Sequence, residues 1–325
     1  VGEDRDAAVR AAAAWDGRAL EDAIHGAGGC AALVRSAGEW AAHPHSSAVA
    51  GQALLEIERI GDAPPMPLPK TECPLSGIRV LDLTRVLAGP TAAKTLAEHG
   101  ADVLKITAAH LPDSGDTDLD TGIGKLSAQL DLRQAKDLET LRSLAKSADV
   151  FSQSYRPGAL AARGFAPEDL AKLRPGIVYM SLSAWGPTGP WKDRRGFDSI
   201  VQCVSGMAVA QGGADAPKLL PCSAIDYVSG YLMAFGTMVA LARRAKEGGS
   251  WRVRVALART GKWIVDQGTV DAAQAVEPQA ATMETRSPAG LITHLKPVVQ
   301  LSETPPFWAR PPVPLGHDRP EWPAK

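Results

Sequence analysis

Ile78-Arg79-Val80-Leu81-Asp82-Leu83, a Gly89-Pro90 turn, the stretch 91–99, Gly100 and then Ala101-Asp102-Val103-Leu104-Lys105-Ile106 read together as strand, turn, helix, stop and strand. The first and last runs are short and mostly apolar, as suits strands buried on both faces. Between them the apolar residues recur at helical spacing, and Gly100 stands where a helix C-cap glycine belongs. Strand, helix and strand within about 30 residues make a βαβ unit, which requires a parallel sheet. Working outward, the alternation continues with a helix over 135–147, a strand at Asp149-Val150-Phe151-Ser152-Gln153, a helix over 167–173, a strand over 176–182, a long helix over 226–246 and a strand over 251–257. This predicts an α/β fold: an open, doubly wound, mainly parallel, Rossmann-like sheet with a small separate N-terminal helical region.

That N-terminal region covers residues 1–63. Ala-rich stretches at 7–14 and the run 48–60 place apolar groups at three- and four-residue spacing and read as helix. Pro64, Pro65, Pro67 and Pro69 fall in a linker over 64–73, which prolines hold extended. The large α/β domain then spans 74–265. Residues 266–325 are expected to form an irregular C-terminal arm wrapped on a surface, with a Pro-rich end.

Composition narrows the function classes. Of 325 residues 45% are hydrophobic and 22% charged, and the formal net charge is -1, so no global basic field points to nucleic acid or an anionic membrane surface. Cys30, Cys73, Cys203 and Cys222 are scattered without a CxxC pair, which suggests no metal site or disulfide framework and a reducing, cytoplasmic setting. No uninterrupted apolar run reaches the roughly 18 residues that cross a bilayer, and the opening residues do not resemble a signal peptide. Beginning on Val1 rather than Met, the chain reads as a fragment or a trimmed polypeptide.

The turn after the first strand, Thr84-Arg85-Val86-Leu87-Ala88-Gly89-Pro90, lacks the GxGxxG pattern of a dinucleotide site. An anion could still be met by the helix N-terminus with Arg85 beside it, and a turn that merely packs carries equal weight on these residues alone. Arg243, Arg244 and Lys246 suit a solvated helix end better than a ligand site, because cations there complement the helix dipole. Trp185 and Trp191 flank a Gly/Pro loop and either shape a pocket or pack beneath that loop.

Pro74-Leu75-Ser76-Gly77-Ile78-Arg79-Val80-Leu81-Asp82-Leu83-Thr84-Arg85-Val86-Leu87-Ala88-Gly89-Pro90 closely resembles the opening of the class III coenzyme A transferases, also named after carnitine dehydratase and bile-acid-inducible protein F. Further matches follow in order: Leu130-Asp131-Leu132, Tyr155-Arg156-Pro157-Gly158-Ala159-Leu160, Arg174-Pro175-Gly176-Ile177-Val178-Tyr179 and Ser183-Ala184-Trp185-Gly186-Pro187-Thr188-Gly189-Pro190. Together they cover about residues 74–260. The resemblance implies transfer of CoA between an acyl-CoA and a small carboxylic acid, through an aspartyl mixed anhydride and an enzyme-CoA thioester. It implies no permanently bound cofactor, CoA or acyl-CoA as substrate, and a homodimer of possible interlocked form. The family's catalytic aspartate falls on Asp226, in Cys222-Ser223-Ala224-Ile225-Asp226-Tyr227. Read without the resemblance, Asp226 is better explained as a helix N-cap.

Arg85, Val86 and Leu87 follow the first strand, Lys105 ends the second, and Ser154, Tyr155 and Arg156 follow the third, where ligands of open α/β sheets bind, so these are the candidate CoA contacts. By the same resemblance the residues after the first strand and the pair Ser154-Tyr155 line the CoA site, with Tyr155 stacking on adenine or else serving as a core or rim residue. Related racemases carry a histidine where this chain has Phe197, which cannot exchange a proton, so a racemase-like enzyme fits less well. Two departures stand out: Thr107-Ala108-Ala109 replaces a frequent arginine, and Arg163 stands one place past another. The segment 15–60 resembles the end of the family's small domain placed ahead of the large one, and no glycine-rich lid is identifiable. A non-catalytic CoA-binding or assembly subunit is therefore the alternative to an enzyme.

Overall fold

The computed structural model describes residues 4–69, 71–269 and 281–323. Its strands are β1 (Glu56–Gly61), β2 (Arg79–Leu83), β3 (Asp102–Thr107), β4 (Lys125–Gln129), β5 (Val150–Gln153), β6 (Val178–Ser183), β7 (Ser250–Ala256), β8 (Thr282–Ser287) and β9 (Gly290–Leu295). The first seven form one sheet in the order β1-β7-β6-β5-β2-β3-β4. β2 pairs in parallel with β3 and with β5, β3 with β4, and β5 with β6. After the edge strand β1 the chain enters the interior of the sheet at β2, winds out to β4, returns to the other side of β2 and winds out again, as the alternation of strand and helix predicts.

The helix Ala88–Glu98 follows β2. Pro90 is tolerated because it lies in the first turn, where its missing N–H has no helical partner to lose. At the other end Gly100 adopts φ +99°, and its N–H reaches Ala97 O while the N–H of Ala101 reaches Leu96 O. This pair of bonds is a Schellman stop, and it turns the chain directly into β3. On the sheet, Leu81, Leu104, Leu141, Phe151, Phe165 and Leu170 are fully buried. Phe151 stacks on Phe165 at 6.0 Å and on Tyr179 at 5.7 Å between ring centres.

Three stretches depart from the sequence reading. The helix expected over 48–60 ends at Ala50, and Glu56–Gly61 is instead an edge strand antiparallel to β7. Glu56 faces Arg254 and Glu58 faces Arg252 across the pair, each bridged by an ion pair. Such cross-strand partners stabilise a strand, and they lie far away in sequence. Lys125–Gln129 is a further strand with too little apolar character to announce itself. The C-terminal arm includes a hairpin, β8-β9, before the irregular segment that follows it. That segment covers the open edge of β4: the N–H of Asp318 donates to Ser127 O, and the N–H of Ser127 to the Asp318 carboxylate, at 2.7 and 2.8 Å. A covered edge cannot recruit a strand from another chain. Trp308 and Trp322 pin the arm through indole donation to Lys94 O and Leu144 O.

By proximity the chain divides into two compact units, one drawn from 1–54, 183–225 and 256–268, the other from 55–182, 226–255 and 269–325. The sheet dominates the second. In the first, Trp40, His43, His45, Trp185 and Trp191 form an aromatic cluster, with Trp185 and Trp191 both buried. Their burial accounts for both tryptophans by packing. Arg35 and Glu21 beside them form a buried bidentate ion pair. One helix among the described residues, Ala224–Glu247, is long and apolar enough to cross a membrane, yet 56% of its most apolar stretch is buried within the protein. Near its end Arg244 is also buried, bound to Asp149 at 2.9 Å and to Gly176 O, rather than capping a solvated helix end.

Glu98, the last residue of its helix, is 4% exposed, and its Oε1 has no hydrogen-bond partner among the described residues. Burial pushes its carboxyl up from 4.5 to about 7, against the opposing pull of Lys94. The neighbouring His99 Nε2 lies 3.7 Å away, and burial lowers its pKa. The unfolded chain releases the Glu98 proton first. The stability this group contributes is therefore complete below about pH 4.5 and is lost as pH rises through about 7. Glu98→Gln should flatten this decline, worth on the order of 3 kcal/mol, in thermal melts between about pH 5 and 7. Because His99 is common to both proteins, comparing them isolates Glu98; equal slopes would show that Glu98 ionises normally.

Candidate active site at the sheet switch point

β2 and β5 are neighbours whose connections leave toward opposite sides of the sheet, so the loops after them open a crevice at their carboxyl ends. Ligands of doubly wound folds bind at such a switch point. The loop after β2 carries Arg85, Val86 and Leu87; the loop after β5 carries Ser154, Tyr155 and Arg156.

Asp82, a residue the sequence reading left inside a strand, builds the first loop. Its side chain is fully buried and accepts from Thr84 N–H at 3.0 Å and Thr84 Oγ1 at 2.6 Å. Its other oxygen accepts from Lys125 Nζ at 3.1 Å, and the same ammonium donates to Pro90 O at 2.9 Å. One carboxylate therefore ties β2, the outgoing loop, β4 and the first turn of the helix Ala88–Glu98. Burial lowers the Lys125 pKa to about 8, with Asp82 acting in the opposite sense. The signal in the sequence was an acid within the apolar run Val80-Leu81-Asp82-Leu83.

Beyond Thr84 the backbone is strained. Val86 has φ +70°, a left-handed conformation that β-branched residues rarely adopt, and its side chain is exposed. Strain of this kind costs about 1–3 kcal/mol and persists where the surroundings impose it, often at functional sites. Arg85 N–H donates to Ser154 Oγ at 3.3 Å, so the two loops touch. Burial raises the pKa of Tyr155, while Arg85 and Arg163 pull it down, which places both guanidiniums within electrostatic reach of the phenol. Leu87 is half-buried and accepts from the N–H of Thr91.

The helix that carries Asp226 packs beside the first of these loops through a close contact at Gly230. Asp226 lies in the first turn of the helix Ala224–Glu247, two residues inside its start, rather than at the N-cap, and is 7% exposed. One turn on, on the same face, is Gly230, where a Cβ would stand 2.6 Å from Ala88 O and 2.8 Å from the Thr91 side chain. Only glycine permits that approach. It seats the helix on the N-terminal turn of Ala88–Glu98, beside the Arg85–Leu87 loop.

One expected residue, Lys105, stands apart from these loops. Lys105 is not at a strand end; it lies inside β3, is 3% exposed, and its Nζ is 2.5 Å from Asp118 Oδ1. Arg156 is exposed at the turn after β5. Phe197, 46% exposed, precedes the helix Asp198–Val204.

The model of CoA-transferase family III matches residues 75–295. The chain belongs to that family. It is 35% identical over 206 residues to the acetyl-coenzyme A transferase nodX of Hypoxylon pulicicidum, covering 61% of this chain and 35% of that protein. It is 33% identical over 191 residues to the succinyl-CoA:glutarate CoA-transferase of Mus musculus, covering 53% of this chain and 43% of that one. A solved structure of Rv3272 from M. tuberculosis matches with a TM-score of 0.57 and 30% identity, over 60% of this chain and 57% of that chain. The chain thus spans less than half the length of these two curated members of the family.

Asp82→Ala should remove one partner of a buried ion pair and cost about 3–5 kcal/mol, read as a lower urea midpoint. Val86→Gly should leave the midpoint unchanged or raised, because relief of strain offsets the added backbone entropy of glycine. A clear drop for Val86→Gly would show an unstrained loop.

Proposed function

We propose that this protein transfers coenzyme A between an acyl-CoA and a small carboxylic acid, with Asp226 as the covalent nucleophile. The observation that carries this reading is a nearly buried carboxylate in the first turn of a helix that packs, through Gly230, on the first turn of the helix leaving the β2 loop. Membership of the family supports the same chemistry.

In the proposed sequence a carboxylate oxygen of Asp226 attacks the thioester carbonyl carbon. The C–S bond breaks, CoA leaves as thiolate, and a mixed anhydride remains on the side chain. The thiolate then attacks Cγ of Asp226, expelling the donor acid as a carboxylate and leaving an enzyme-CoA thioester. The acceptor carboxylate attacks the same carbon and releases thiolate, which takes the acceptor acyl group and restores the Asp226 carboxylate. Four displacements balance without a redox partner or a metal. The positive end of the helix Ala224–Glu247 favours the carboxylate form of Asp226 between turnovers. CoA lies in this reading with its phosphates near Arg85 and Arg156 and its adenine near Tyr155. Homodimeric assembly in a cytoplasmic setting belongs to the same reading.

Asp226→Asn is nearly isosteric and retains a polar group in the first turn, so melting temperature and CoA affinity should change little. Acyl transfer should fall to background, and mass spectrometry after incubation with an acyl-CoA should lose the adduct on the peptide containing residue 226. Full activity in a folded Asp226→Asn protein would remove Asp226 from the mechanism; absence of any adduct in the parent would favour a CoA-binding subunit.

A further inference from the structure

The compact unit drawn from 1–54, 183–225 and 256–268 holds a cleft of about 490 Å³ whose walls all belong to that unit. Small-molecule sites commonly have roughly 300–1,000 Å³. Three guanidiniums and three carboxylates line it, Arg18, Arg35 and Arg194 against Glu21, Asp22 and Glu39. Formal charge therefore cancels, and what the cleft can take depends on which groups are already committed. Glu21 accepts from Arg35 Nη1 on one oxygen and Nη2 on the other, at 2.8 and 2.6 Å, and from the N–H of Leu33. Asp22 accepts from Arg194 Nη2 at 2.5 Å, and Glu39 closes a capping box with Ser36. Every carboxylate is thus engaged, whereas two donors are left over. Arg18 is exposed and makes no hydrogen bond or ion pair among the described residues. His43 Nδ1 accepts from the N–H of His45 at 3.1 Å, so the neutral ring carries its proton on Nε2, which has no partner among the described residues. Burial, then the charges of Arg35, Arg194 and Arg18, lower the His43 pKa against the pull of Glu21, and the ring is neutral at pH 7. The ring of Trp191 lies 4.3 Å from that of His43, with the guanidiniums of Arg35 and Arg194 over it at 5.3 and 4.8 Å. These stacked groups give the two donors a fixed base, and Leu33, Pro44 and Pro190 add apolar surface.

We propose that this cleft binds a small organic carboxylate, held by the guanidinium of Arg18 and the Nε2–H of His43. The unmet capacity of the two residues is donating, and a carboxylate offers two acceptor oxygens, with a charge-assisted bond at Arg18. An apolar body on the ligand has Leu33, Pro44 and Pro190 to lie against. Because Arg18 is solvated, the attraction is screened and the binding is weak. The site is independent of the CoA reading, since it shares no residue with the loops after β2 and β5.

The test is a saturation-transfer NMR titration of the full chain with benzoate, with benzamide, which keeps the body and lacks the charge, and with inorganic phosphate as competitor, which has charge and no body. Arg18→Gln removes the cation where no internal contact is lost, and Arg18→Lys restores the charge without the fork. His43→Asn keeps an acceptor for the N–H of His45 and removes the ring donor. Benzoate affinity should fall roughly tenfold in Arg18→Gln and less in Arg18→Lys, and it should also fall in His43→Asn. Benzamide should bind the parent roughly tenfold more weakly than benzoate, and phosphate should compete poorly. CoA affinity, measured on the same proteins, should not change in Arg18→Gln. Unchanged benzoate binding in Arg18→Gln, or none by the parent, overturns the site. Benzamide or phosphate bound as tightly as benzoate overturns the carboxylate class.

Discussion

The buried carboxylate of Asp82 is the constraint on which the active region depends. A lone charge in the middle of a parallel sheet would be costly, and the structure resolves this by giving it a hydroxyl, an N–H and an ammonium. Each partner does positional work. Thr84 fixes the exit of the chain from β2, and Lys125 joins β4 to the first turn of the helix Ala88–Glu98 through Pro90 O. The loop between these anchors has little freedom left, which is why Val86 can be held at a positive φ.

On this rigid base the remaining groups are brought together by topology. The winding of the sheet sets the loops after β2 and β5 side by side, and Arg85 N–H to Ser154 Oγ joins them. The helix carrying Asp226 arrives from a distant part of the chain and is seated by the absence of a side chain at Gly230. The carboxylate thus sits in the first turn of a helix packed against the helix that follows the strained loop, on elements that packing holds in place. Sites on rigid elements keep the precise geometry that covalent transfer needs.

The charges around this region are balanced internally. Lys94, Lys105 and Lys125 are each paired with an aspartate, and the near-zero formal charge of the chain is repeated at this local scale. Arg85, bound to a carbonyl rather than a carboxylate, is less committed than these lysines.

Much of the fold was legible in one dimension because its signals are local. Apolar runs, the Pro90 start and the Gly100 stop define the βαβ unit without reference to anything distant, and the order of short motifs pointed to the family. The long helix was legible as a helix, with Asp226 read at its start or cap rather than inside its first turn, where the structure has it. What sequence could not decide depends on partners far along the chain. Glu56–Gly61 became a strand because Arg252 and Arg254 lie across from its glutamates. Lys125–Gln129 became a strand because β3 offers it an edge and the C-terminal arm covers the other side. Lys105 and Arg244 read as cations available to ligand or solvent, and burial turned them into halves of ion pairs. Periodicity and turn chemistry are written residue by residue, whereas the environment of a charge is set by the elements that fold over it. The sequence by itself therefore determined the parallel sheet and its family, and only the tertiary structure decided which of its charges are free to meet a ligand.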